Sequence, residues 1–195
     1  MSLAILLSRS LLGLDAPLVR VETHLGAGLP AFHVVGLADA EVRESRERVR
    51  AAILSSGLAF PSGRLTVNLS PADLPKESGR YDLPIALGVL LVSGQIKVAE
   101  PERLSTLVLA GELSLTGALV PTRGSVALGL AVARTQPDAV LILPMGNAAE
   151  VARIPELTVL GAHSLNDVVS HLNGHTVLQP LVHDAMHTPK GSYPC

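Results

Sequence analysis

A chain of 195 residues, 48% of them hydrophobic, can bury the core of one domain, and with only 2% aromatics that core must be Leu, Val, Ile and Ala. A formal net charge of −2 excludes the global basic field that draws nucleic acid or anionic membranes. No apolar run reaches the about 18 residues of a membrane span, and the single cysteine, Cys195, has no intrachain partner, so a cytoplasmic location is expected.

Met1 to Leu7 is apolar but has no basic flank, and Arg9 interrupts it, so it does not read as a signal peptide. Residues 4–10 read as a strand, 13–17 as a turn and 18–24 as a strand alternating around Val19 and Val21. Gly26 to Pro30 breaks the pattern and residues 31–35 resume it, so a meander of three antiparallel strands is expected. Asp39 then caps a helix that Gly57 ends, with Val42, Val49 and Ile53 as its buried stripe. Residues 65–69 alternate as a half-buried strand, and residues 83–92 form a helix apolar on nearly every face. Between them lies a polar loop, and Asp82 is expected to cap the second helix, with Pro84 in its first turn. Further on, 106–115 is strand-like, 117–121 its hairpin return, 125–134 a helix, 139–143 a short strand, 147–153 a brief helix and 157–160 a strand. Ser164 and Asp167 form a capping box for a helix to about residue 172. From Thr176 the periodicity fails in a polar, proline-punctuated tail. This order of elements is α+β or mixed α/β.

Nothing matches the Gly-x-x-x-x-Gly-Lys-Ser/Thr phosphate cradle, and Gly26-x-Gly28 lacks the third glycine and the following helix of a dinucleotide site. The histidines contain no His-Glu-x-x-His; His171/His175 and His183/His187 are spaced by four but read as surface pairs, so no metal is expected. Ser78 or Ser70 with Lys76 is the one hydrolase candidate. A Ser–Lys dyad needs a desolvated, neutral lysine, and Lys76 in an exposed loop is expected to be solvated and protonated. The helix after Asp39 carries Arg43, Arg46 and Arg50 on one face about 10 Å long. Glu44 can pair with Arg48, and Glu47 with Arg50. That stripe, with Arg80, and then Arg64 and Lys76, is the candidate DNA contact, expected to be weak and salt-sensitive.

At the polar loop the chain resembles the Lon peptidase domain. Pro75-Lys76-Glu77 and Gly79 look like its approach to the nucleophile, whose position falls at Asp82 if one residue is inserted. Gly111-Glu112-Leu113-Ser114-Leu115-Thr116-Gly117-Ala118-Leu119-Val120-Pro121 is similar to the second Lon block, and the catalytic lysine position falls at Leu128. The resemblance thus makes Lys76, Asp82 and Leu128 a vestigial site. Closer is the resemblance to the ComM-type family, also called YifB or magnesium-chelatase-like AAA+ proteins. It rests on Gly36-Leu37-Ala38-Asp39-Ala40-Glu41-Val42-Arg43-Glu44-Ser45, Val67-Asn68-Leu69-Ser70-Pro71-Ala72-Asp73-Leu74-Pro75-Lys76 and Tyr81-Asp82-Leu83-Pro84-Ile85-Ala86. It implies an α+β, two-layer α/β sandwich of the Lon peptidase-like, ribosomal protein domain-like fold over residues 1–175. It implies a linker at 176–195 toward an AAA+ motor outside this chain, which alone would bind ATP and Mg. The expected role is a non-catalytic accessory domain of a hexameric DNA branch-migration helicase acting in natural transformation. The alternative is a serine hydrolase with a rearranged Ser–Lys dyad.

Overall fold

A computed structural model describes residues 2–182. In chain order the strands are β1 (Ser2–Arg9), β2 (Leu18–Gly26), β3 (Ala31–Val35), β4 (Arg64–Ser70), β5 (Leu107–Leu109), β6 (Glu112–Leu113), β7 (Leu119–Val120), β8 (Val140–Pro144) and β9 (Thr158–Ala162). The helices are α1 (Ala40–Ser55), α2 (Asp82–Val92), α3 (Ser125–Thr135), α4 (Met145–Val151) and α5 (Leu165–Leu172). Seven strands form one sheet in the order β3-β4-β2-β1-β5-β8-β9, and β6 and β7 make a separate hairpin.

β1 and β2 are antiparallel as expected, with Ser2 opposite Leu25 and Arg9 opposite Leu18. The three-stranded meander is not formed. β4 inserts beside β2, and β3 pairs with β4 in parallel, from Ala31 opposite Arg64 to Val35 opposite Asn68. The reason is α1. A parallel pair needs a long crossover, and α1 supplies it while laying Val42, Val49 and Ile53 into the core. Alternation states which residues share a face; it does not state which strand lies alongside.

At the β2–β4 side only one face is buried, with Val19, Val21, Leu65, Val67 and Leu69 almost wholly covered. At the β5–β8–β9 side both faces are covered. Leu107, Leu109, Ile142 and Leu160 join the core under α1, α2 and α5. Val108, Leu141, Leu143 and Val159 join a second core under α3 and α4. Strands buried on both faces read as continuous apolar runs, as the 139–143 stretch does. The class is the expected α/β sandwich, with a second helical layer at its parallel end.

α2 lies at the centre. Leu83, Ile85, Leu87 and Leu90 are fully buried, each stabilising the fold by about 1.5–3 kcal/mol. The helix runs close to β2 at Gly88, where a methyl group would sit 2.3 Å from the Thr23 hydroxyl oxygen. The expected strand at 106–115 is broken. Pro101–Thr106 is a 3-10 turn. Past β5 the backbone turns aside, with Gly111 N–H donating to the Arg80 carbonyl (2.9 Å) and Leu83 N–H to the Gly111 carbonyl (3.0 Å). The hairpin return is observed, pairing Glu112 with Val120, and so is the Ser164–Asp167 capping box. The start of the expected tail packs against α5 and β9, with Leu178 N–H donating to His171 Nδ1 of α5 (3.0 Å) and Leu181 N–H to the Val159 carbonyl of β9 (3.0 Å). His183, His187 and Cys195 lie outside the described residues.

Candidate functional site

The loop between β4 and α2 is not the solvated turn expected. Lys76 is fully buried. It is clamped by the loop after β3, where Gly36 has φ +104° and Leu37 φ +56°. Lys76 Nζ donates to the Gly36 carbonyl at 2.7 Å and to the Pro71 carbonyl, while Asp39 N–H donates to the Lys76 carbonyl at 3.2 Å. Burial pushes the Lys76 ammonium below its usual pKa. The two carbonyls hold it as a donor, an arrangement that ties two loops together. Ser78 Oγ accepts instead from Arg80 Nε (3.0 Å), and Ser70 ends β4 opposite Arg20.

Asp82 does not cap α2. It is the first helical residue, and Tyr81 holds the cap position without a side-chain bond. The carboxylate turns inward and is fully buried. It accepts from Arg48 Nε (2.7 Å) and Nη2 (3.1 Å), from Leu113 N–H (3.0 Å) and from the Ser45 hydroxyl. One side chain thereby joins α1, α2 and β6. Burial pushes the Asp82 carboxyl up, opposed by these donors, and the pairing raises Arg48. So Arg48 pairs with Asp82 and not with Glu44 as expected. The sequence does contain a signal for this network: Ser45 falls between Val42 and Val49 in the buried stripe of α1. A buried hydroxyl calls for a partner.

Leu128 is 2% exposed, packed in the second core under α3. The three residues of the expected vestigial site therefore have separate surroundings: Lys76 among backbone carbonyls, Asp82 in an ion-pair network, Leu128 in an apolar cluster.

The arginine stripe is formed, yet part of it is engaged within the chain. Arg43 is exposed. Arg46 donates to the Arg43 carbonyl (3.0 Å) and the Phe32 carbonyl (3.2 Å). Arg50 lies 5.0 Å over the Phe60 ring, and no ion pair forms with Glu47 among the described residues.

Arg80 is not a surface cation. It is 4% exposed and lines a cleft of about 490 Å³ with Asp39, Glu41, Glu77, Glu112 and Arg123. Its Nη2 donates to the Arg123 carbonyl at 3.5 Å. Burial pushes the Arg80 guanidinium down, and burial and then the Asp82 charge push the half-buried Glu112 carboxyl up.

Beside Arg80, Tyr81 is fully buried and its pKa is pushed up to about 12 by burial. Between pH 10 and 12 an unfolded chain loses this phenolic proton while the folded chain keeps it, so stability falls as pH rises. The loss reaches about 3 kcal/mol at 1.36 kcal/mol per unit. Urea unfolding at pH 9 and pH 11.5 is expected to show it, and Tyr81→Phe is expected to remove most of it.

The family model described as subunit ChlI of Mg-chelatase matches residues 21–147. The chain is 43% identical over 185 residues to an uncharacterized protein, YifB, of Salmonella typhimurium, covering 94% of this chain and 36% of that protein. It is 42% identical over 178 residues to competence protein ComM of Haemophilus influenzae, covering 91% and 34%. An uncharacterized Mycobacterium bovis protein is 41% identical over 181 residues, covering 92% and 35%. The chain spans about a third of the length of these relatives. On this match and these identities the chain belongs to the Mg-chelatase ChlI-like family, together with the YifB and ComM proteins.

Proposed function

We propose that this chain is a non-catalytic domain of a longer ATP-driven protein that processes DNA, with branch migration during natural transformation as its setting. The observation that carries this reading is the use made of Asp82. At the position where the Lon resemblance puts a nucleophile, the side chain is spent on four hydrogen bonds that join α1, α2 and β6. Leu128, at the lysine position, is spent on packing. Lys76 donates to two carbonyls and Ser78 accepts from Arg80, so nothing favours a rearranged dyad. The similarity to the competence protein ComM of Haemophilus influenzae supports the DNA setting. ATP and Mg belong, on this reading, to the remainder of a homo-hexameric parent.

The test is twofold. A serine-directed covalent probe is expected to leave Ser70 and Ser78 unlabelled; labelling lost on Lys76→Ala restores the hydrolase reading. DNA titrations of the 195-residue chain are expected to show weak binding that falls as salt rises. Arg43→Ala/Arg46→Ala/Arg50→Ala is expected to weaken it only about threefold, because Arg46 and Arg50 are already engaged internally. Tight, salt-resistant binding rejects this account of the stripe.

A further inference from the structure

The Arg80 cleft holds an electrostatic imbalance. A guanidinium 4% exposed is normally paired with a carboxylate, because the cost of desolvating it is otherwise unmet. Among the described residues Arg80 forms no ion pair. Its protein partners are the Ser78 hydroxyl and, at 3.5 Å, the Arg123 carbonyl. Four carboxylates line the same cleft, yet none takes it. Asp39 is occupied in capping α1 through Val42 N–H at 2.8 Å. The cleft wall formed by Thr122 and Arg123 leads directly into α3 through Gly124, and α3 begins without a side-chain cap. Among the described residues no side chain accepts from its first N–H groups, so the start of α3, next to Arg123 but itself outside the cleft lining, leaves its positive end uncompensated.

We propose that this cleft binds a single oxyanion, carboxylate or phosphate, carried on a small ligand whose body is neutral or cationic. Arg80 is the deep contact, Arg123 the contact at the mouth. The volume of about 490 Å³ exceeds one oxyanion and accommodates such a body. Asp39, Glu41, Glu77 and Glu112 decide its charge. They repel a polyanion such as a DNA strand and favour an ammonium next to the bound oxyanion. This goes beyond the accessory role proposed above and stands or falls separately from it.

The experiment measures the melting temperature of the 195-residue chain at pH 7 and constant ionic strength. The probes are acetate, glycine, inorganic phosphate and phosphoethanolamine, with chloride as the reference. At least one oxyanion is expected to raise the melting temperature saturably. Its ammonium-bearing counterpart is expected to saturate at about threefold lower concentration, as charges near a protein surface interact. Acetate and glycine against phosphate and phosphoethanolamine decide which oxyanion is taken. Arg80→Met is expected to abolish the shift while melting in chloride no lower than wild type, because an unpaired buried charge has been removed. Arg123→Ser is expected to weaken the response about fivefold, the worth of one exposed charge. The proposal is overturned by a flat response to all four probes, or by a shift that survives in Arg80→Met. It is equally overturned if Arg80→Met does not fold in chloride, which makes the guanidinium structural. A 12-nucleotide single strand that outcompetes phosphoethanolamine also overturns it, in favour of a polyanion site.

Discussion

Arg48→Ala is expected to destabilise the chain by about 3–5 kcal/mol at pH 7, the cost of leaving a buried carboxylate without its counter-charge. Arg48 supplies two of the four hydrogen bonds to Asp82 and, among the described residues, its only ion pair. What remains is the Ser45 hydroxyl and Leu113 N–H. Two controls separate this from lost packing. In Arg48→Ala/Asp82→Asn the partnerless charge is gone, so the double variant is expected to be more stable than Arg48→Ala alone, by about 1–2 kcal/mol. The defect of Arg48→Ala is also expected to shrink on moving from pH 7 toward about pH 5. Burial already favours the protonated form of Asp82, and without Arg48 the proton replaces the missing counter-charge. Urea unfolding of wild type and both variants at the two pH values measures all of this. If Arg48→Ala unfolds within about 1 kcal/mol of wild type, the network is not a structural joint.

Gly36→Ala carries an effect of similar size from a different cause. Gly36 sits at φ +104°, and an added Cβ would lie 2.1 Å from the Leu69 carbonyl oxygen. The obstacle is backbone of β4, which cannot swing aside as a side-chain tip would. Strain at such a φ costs about 1–3 kcal/mol, and forcing strand and loop apart adds about 1–3 kcal/mol. A loss of about 4 kcal/mol is expected. Because the Gly36 carbonyl also accepts from Lys76, the shift loosens the clamp on the loop before α2. Gly13→Ala is the comparison: its φ is +63°, but nothing lies within 4 Å of the added carbon. Only the conformational part remains there, about 1 kcal/mol. Equal losses at the two positions refute the role of the close approach to Leu69.

Local chemistry explains why so much of the chain was legible before any tertiary contact was known. Asp39 was expected to cap α1 and does so through Val42 N–H. The Ser164–Asp167 box opens α5, and the unbroken apolar run after Asp82 forms the buried α2. Each of these depends on residues within about one turn of one another, so periodicity and side-chain type suffice. The family blocks around Gly36, Val67 and Tyr81 fall in or beside the elements that build the clamp and the Asp82 network.

Tertiary structure alone decided the rest. Whether β3 pairs with β2 or β4 depends on where α1 must cross, and alternation is the same in either case. Asp82 has the composition of a cap, but α1 and β6 bring Ser45, Arg48 and Leu113 N–H to it, and four donors around the buried carboxylate outweigh one terminal N–H. Lys76 and Arg80 read as loop cations because charged loop residues are usually solvated. They are buried because the 36–39 loop and the hairpin β6–β7 fold over them from positions about 40 and 30 residues away in the chain. Sequence by itself determined the elements and their apolar faces; the burial of charge, and with it the character of the cleft, was decided by contacts between segments distant in sequence.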